Sequence, residues 1–248
     1  MKYIFGFLLI LGIASTAGAA GRSVPYEIDG VPYEGFFVDA GAKAPMVLLI
    51  HDWDGLTDYE VKRAEMLAKM GYTVFAADLF GAGVRPTRME DKRQHTGELY
   101  KDRTKMRALI AGAVEKAAAM GADIGNAVVM GYCFGGAAVL EYARSGAEMK
   151  GFVSFHGGLS TPEGQNYTRT KGRLLILHGT ADTAIPMDDF AKLAKELEQN
   201  HVSHEMITYS GAPHAFTVFG SEAYREDADR KSWQRFSGFL ADTLKKVK

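Results

Sequence analysis

Cysteine occurs once in these 248 residues, at Cys133. No internal disulfide can staple the fold, so a hydrophobic core must hold it. Neither sign of charge dominates, with 29 Lys and Arg against 30 Asp and Glu. Without a basic stripe or an RNA-binding signature, nucleic acid is not an expected partner. The seven histidines are scattered and there is no pair of cysteines, so neither a metal nor any other cofactor is expected. A G-x-G-x-x-G turn and a Lys-Ser/Thr phosphate loop are also missing. Repeats, low-complexity linkers and charge blocks are lacking too. With 47% hydrophobic and 24% charged residues, the expectation is one globular domain over residues 21–248.

One apolar run stands apart. Lys2, then Tyr3 to Ala14, then the small residues Ser15 to Ala20 give the charged, apolar and cleavage-site regions of a signal peptide. The run falls short of the ~20 apolar residues of a spanning helix. Residues 1–20 are therefore expected to be removed, leaving a secreted or periplasmic protein with no membrane contact. A lone thiol in an oxidising compartment is open to oxidation and mixed disulfides. Its presence there is more easily explained by use than by accident.

The remainder alternates. A hairpin is predicted about Asp29-Gly30, joining Tyr26–Ile28 to Glu34–Val38. Apolar-rich runs, the pattern of strands buried on both faces, occupy 45–50, 73–78, 127–130, 151–156 and 173–178, and a last strand spans 205–209. Helices are expected near 57–69, 98–120, 137–144, 187–199 and 221–246, and a loop with some helix over 79–97. This is an α/β pattern: a mostly parallel sheet covered by helices on both faces.

Within it, Gly131-Tyr132-Cys133-Phe134-Gly135-Gly136 joins a strand directly to a helix. That is the strand–turn–helix nucleophile elbow, with sulfur in place of a serine oxygen. The helix N-terminus beneath the sulfur favours thiolate. A nucleophile needs a base, and the base an orienting group. Asp182 follows the strand 173–178, and His214 follows the strand 205–209, giving the chain order nucleophile, acid, histidine. Each has a plainer alternative. Cys133 would be a small core residue, Asp182 a helix cap near Pro186, and His214 a packed loop histidine.

The motifs Gly131-Tyr132-Cys133-Phe134-Gly135-Gly136, His178-Gly179-x-x-Asp182, His214-x-Phe216 and His51-Asp52-Trp53-x-Gly55-Leu56 resemble those of the dienelactone hydrolase family of α/β-hydrolases. The resemblance implies an α/β-hydrolase fold and hydrolysis of an ester, lactone or related acyl bond of a small molecule without a cofactor. It makes Cys133 the nucleophile, His214 the base and later the acid, and Asp182 the group holding the imidazole. The backbone N–H groups of Trp53 and Phe134 would form the oxyanion hole. Asp52 stands where the family usually has a glutamate that contacts the resting thiol. Members that hydrolyse dienelactone carry a serine after the histidine and an arginine a few residues on; this chain has Ala215 and Val218 there. Trp53, Phe80, Arg85, Tyr132 and Phe216 are the candidate substrate contacts. His156 and His178 read as supporting histidines. Two other uses of Cys133 remain open: thioesterase or acyl-transfer chemistry on the same triad, and a non-catalytic redox or binding site.

Overall fold

The apolar runs at the middle of the sequence become the middle of a sheet. A computed structural model describes residues 20–245; the expected signal peptide up to residue 19 and the chain beyond 245 lie outside the described residues. Eight strands run in the spatial order β1-β2-β4-β3-β5-β6-β7-β8. β3 (Pro45–Ile50), β4 (Thr73–Ala77) and β6 (Gly151–Phe155) are buried along their whole length. β5 (Asp123–Tyr132) and β7 (Arg173–Gly179) are buried over their apolar parts. From β4 to β8 (His204–Tyr209) all neighbours are parallel. β1 (Arg22–Ile28) and β2 (Val31–Val38) add an antiparallel edge. The pair Ile28↔Val31 leaves Asp29 and Gly30 as a two-residue turn, both at positive φ, 51° and 75°. That is the type I′ geometry whose twist matches the strands.

Helices cover both faces. α1 (Asp58–Lys69) and α6 (Glu226–Thr243) pack Leu67, Phe236 and Leu240 against Val47, Leu49, Val128 and Met130. α2 (Met89–Lys101), α3 (Arg103–Ala119), α4 (Phe134–Arg144) and α5 (Met187–Gln199) close the other face over Leu48, Ile50, Val129 and Ile176. Each such Leu or Ile withdrawn from water contributes roughly 1.5–3 kcal/mol before the loss of chain entropy is counted.

The long helix expected over 98–120 is two helices. Asp102 has φ −111° and ψ 82°, ends α2, and begins α3 by accepting the Lys105 N–H at 2.8 Å. No Gly or Pro marks the break; the side-chain cap makes it. The final helix starts at Glu226 instead of Ser221. α1 begins with a capping box: Thr57 is the N-cap and Glu60 returns to the Thr57 N–H. The described residues contain no helix long and apolar enough to cross a membrane.

Candidate active site

The carboxyl ends of β3, β5, β7 and β8 open on one edge of the sheet, where ligands of open α/β sheets bind. At the end of β5 the chain must reverse into α4 within one residue. Cys133 takes φ 51° and ψ −113° to do so, and its N–H donates to Phe155 O at 3.0 Å. The turn is possible because of what flanks it. A Cβ on Gly131 would lie 2.4 Å from the Gly135 carbonyl, and one on Gly135 would lie 2.3 Å from Ile50 O. Strain of this kind, ~1–3 kcal/mol, survives only where the surrounding structure imposes it.

Two loops reach the sulfur. The Ala181 N–H donates to Ala212 O at 3.0 Å, tying the turn after β7 to the turn after β8. Across that tie, His214 Nδ1 donates to Asp182 Oδ2 at 2.8 Å, and His214 Nε2 lies 3.0 Å from Cys133 Sγ. The other oxygen, Asp182 Oδ1, accepts from the Ala184 and Ile185 N–H groups at 2.9 and 2.8 Å. Asp182 therefore both pins its own turn and holds the imidazole, while Pro186 occupies the N-cap of α5. Burial opposes charge on His214. The bonds to Asp182 and Cys133 outweigh it and raise its pKa to about 10. Burial likewise pushes Asp182 up, but the His214 bond and charge carry it below the usual carboxylate range. The imidazole is set to carry a proton between two acceptors.

Ile50 pairs with Gly131 across β3 and β5, so Trp53 and Phe134 each lie three residues past a shared rung. Phe134 opens α4, and neither its N–H nor that of Trp53 has a hydrogen-bond acceptor among the described residues. The two amides without acceptors follow neighbouring strand ends on the edge of the sheet that carries Cys133.

Several other candidates sit differently from the expectation. Asp52 does not hydrogen-bond to the thiol. Its Oδ1 accepts the Asp54 N–H at 2.8 Å, and its own N–H points to Glu60 Oε1 at 3.4 Å. Tyr132 and Phe216 are each 0% exposed and cannot line a pocket. Tyr132 packs on Tyr59 and Phe155, and Phe216 on His156 and Tyr209. Alternation along β5 sends Tyr132 to the α1/α6 face with Val128 and Met130. Arg85 is taken up by the buried Asp78, 3.8 Å away, and by Val84 O at 2.8 Å. Phe80 is half-buried against His51 and Phe134, and Trp53 is half-buried beneath Lys92. His178 donates from Nε2 to Ile185 O at 3.0 Å, bracing the Asp182 turn.

Of the groups behind these, only His156 was anticipated, as a supporting histidine; Thr217, Tyr59, Arg63 and Asp229 were not. His156 is buried with its ring 5.4 Å from that of His214, and its Nε2 lies 2.8 Å from Thr217 Oγ1. Burial first, then the charge of His214, hold His156 well below its ordinary pKa, so it stays neutral. Thr217 Oγ1 also meets Tyr59 Oη at 2.7 Å, and Thr217 O accepts from Arg63 at 2.8 Å. The buried Arg63 in turn pairs with Asp229 at 2.5 Å. Beyond His156, no motif in the sequence pointed to this network.

The sequence model of the dienelactone hydrolase family matches residues 35–244. Solved structures share the fold. One named m3DLH is 29% identical, spans 92% of this chain and 100% of its own, and superposes with a TM-score of 0.84. A dienelactone hydrolase-like promiscuous phosphotriesterase from metagenomic libraries, P91, is 26% identical over 92% of this chain and 100% of its own, with a TM-score of 0.85. An acylaminoacyl peptidase of Pyrococcus horikoshii, 16% identical, shares the fold over 94% of this chain and 43% of its own, with a TM-score of 0.73. A comparison with curated protein sequences gives no match.

Proposed function

The chain belongs to the dienelactone hydrolase family and is a hydrolase, and from that premise we propose that it cleaves carboxylic esters or lactones through a thioester on Cys133. The Cys133 sulfur attacks the carbonyl carbon, and the carbonyl oxygen gathers negative charge against the Trp53 and Phe134 amides. Each such donor is typically worth ~10²–10³ in rate. His214 delivers its proton to the departing alkoxide, which leaves as an alcohol, or as a tethered hydroxyl from a lactone. Water then gives a proton to His214 and attacks the thioester, returning the thiolate and releasing the acid. Asp182 keeps Nδ1 as the donor, so that Nε2 faces the sulfur.

The observation that carries this reading is the unbroken line from Asp182 Oδ2 through His214 to Cys133 Sγ, at 2.8 and 3.0 Å. A chromogenic short-chain ester tests it. Cys133→Ala and His214→Ala are expected to abolish turnover, and Asp182→Asn to cost on the order of 10⁴ in kcat, as the same change does in a serine triad. Equal turnover in all four proteins ends the proposal. A redox or binding role for Cys133 would instead leave function indifferent to Asp182→Asn. Because one structural relative is a promiscuous phosphotriesterase, phosphotriesters belong in the substrate panel beside esters, lactones and thioesters. On the sequence of residues 1–20 the enzyme is proposed to act outside the cytoplasm after removal of its leader, which N-terminal sequencing of the exported protein checks.

A further inference from the structure

Three adjacent strands end on one imidazole. His51 follows β3 and is fully buried. Its Nε2 lies 3.1 Å from the Leu79 nitrogen, two residues past β4, and its Nδ1 lies 2.6 Å from Asp52 O. Its ring stacks on that of Phe134, the first residue of α4 after β5, at 6.0 Å between centroids, and meets Phe80 edge-on at 4.5 Å. The backbone of His51 also abuts the elbow helix, since a Cβ on Gly135 would lie 2.4 Å from His51 O.

These contacts fix which nitrogen carries the proton. A backbone N–H can only donate, so Nε2 presents its lone pair to Leu79. Burial holds the His51 pKa below its ordinary value, which keeps the ring neutral with a single proton. That proton is on Nδ1, and Nδ1 donates to Asp52 O. The Leu79 end is itself anchored, because the buried Asp78 accepts the Phe80 and Gly81 N–H groups at 3.0 and 3.1 Å. Turning the ring over would break a buried bond at each end.

Asp52 O belongs to the same peptide unit as the Trp53 N–H. In a trans peptide the two point in opposite directions, so the bond that fixes the carbonyl also fixes the line of the N–H. A carbonyl that accepts a hydrogen bond makes its own amide a better donor as well. The Asp52 N–H is tied too, donating to Glu60 Oε1 at 3.4 Å, whereas the Trp53 N–H has no acceptor among the described residues.

We propose that His51 is a positioning residue of the Cys133 centre, the Nδ1-protonated ring that aims the Trp53 amide at the oxyanion and strengthens it as a donor. Through its stacking on Phe134 the same ring holds the second donor in one frame with the first. This rests on the acyl-transfer reading of Cys133, and His51 acts in it only through the peptide it binds.

Two substitutions separate the bonds of the imidazole. Asn carries its amide nitrogen about where Nδ1 stands and keeps the donor to Asp52 O, but loses the acceptor for Leu79. Gln reaches the Nε2 position, keeps an acceptor for Leu79 and loses the bond to Asp52 O. His51→Gln is expected to lower kcat for a chromogenic ester ~10–100-fold with KM little changed, part of the ~10²–10³ that a whole donor is worth. His51→Asn should keep most of the wild-type kcat, although urea titration should show it destabilised as much as His51→Gln. Equal losses of kcat in the two variants, or a loss carried by KM alone, overturn the proposal, because a merely structural histidine would be missed alike in both.

A second measurement needs no ester turnover. Thienylacryloyl-imidazole acylates Cys133 to a thioester whose C=O stretching band falls when the oxygen accepts hydrogen bonds. The wild-type band should lie below that of the same thioester on N-acetylcysteine, move back toward it in His51→Gln and stay low in His51→Asn. A wild-type band at the N-acetylcysteine position, or one band common to all three proteins, overturns the proposal. A third needs no variant: the ring-nitrogen NMR shifts of His51 in the wild type should show a protonated Nδ1 and a bare Nε2, and the opposite tautomer overturns it. If the wild type cleaves no ester while the bands respond as stated, the hydrolytic reading fails and the role of His51 stands. If the wild type turns over and both variants match it in kcat and in band, the hydrolytic reading stands and the role of His51 fails.

Discussion

Glu60 and Asp52 meet in a buried corner beneath the loop that carries Trp53, where the Asp52 N–H donates to Glu60 Oε1 at 3.4 Å. Burial, then the charge of Asp52, raises Glu60 to about 8, and burial raises Asp52 to about 6. Both folded values lie above those of the unfolded chain, so the folded state holds protons that the unfolded state has released. The stability from these two groups is complete below about pH 4 and is lost as the pH climbs through 6 and then 8. Glu60→Gln cannot carry the buried charge. The variant is expected to lose roughly 1 kcal/mol at pH 5 through its weakened capping box, and to draw level with or overtake the wild type by pH 9. Thermal melts across pH 5–9 check this; a wild-type advantage that persists unchanged to pH 9 would contradict it. Asp52 was visible in the sequence as a motif residue, but Glu60 was not. A helix-start glutamate reads as a solvent-facing cap, and only the packing of α1 against the β3 loop buries it.

At the scale of elements, the elbow depends on how closely α4 can approach β3. Gly135→Ala would bring a methyl to 2.3 Å from Ile50 O and 2.4 Å from His51 O, both of them backbone. Neither can turn aside as a side chain would, so the substitution is predicted to cost at least ~2 kcal/mol. It should also abolish ester turnover, because Trp53 and Phe134 are carried by the two elements it forces apart. A urea titration and the chromogenic assay read the two effects. The elbow and the buried strands were legible because their causes are local: glycines at fixed offsets, and apolar runs too short for helices. The α2–α3 break was not legible, since its cause is a single Asp102 side chain choosing between two hydrogen bonds. Nor was the burial of Tyr132 and Phe216. Their proximity to Cys133 and His214 in sequence suggested a pocket, whereas strand alternation and the turn after β8 carry both rings beneath the site.

Over the whole molecule, one ion pair joins segments 166 residues apart. Arg63 on α1 reaches Asp229 on α6 and, with the same nitrogen, Thr217 O on the loop that follows His214. The guanidinium is almost fully enclosed. Arg63→Ala leaves Asp229 buried without its cation, a change expected to cost about 3–5 kcal/mol, with turnover falling as the Thr217–His156 brace loosens. Urea unfolding followed by tryptophan fluorescence, beside kcat, measures both. A midpoint shift under ~1 kcal/mol would show that the pair is not the clamp described.

That clamp gives the C-terminal helix a part in chemistry it never touches. Phe236, Phe239 and Leu240 fill one side of the core, but Asp229 is also the counter-ion that keeps Arg63 beneath Thr217. A protein shortened before position 229 would retain Cys133, Asp182 and His214 untouched in its sequence. It would nonetheless leave a cation stranded in apolar surroundings directly under the histidine's own loop.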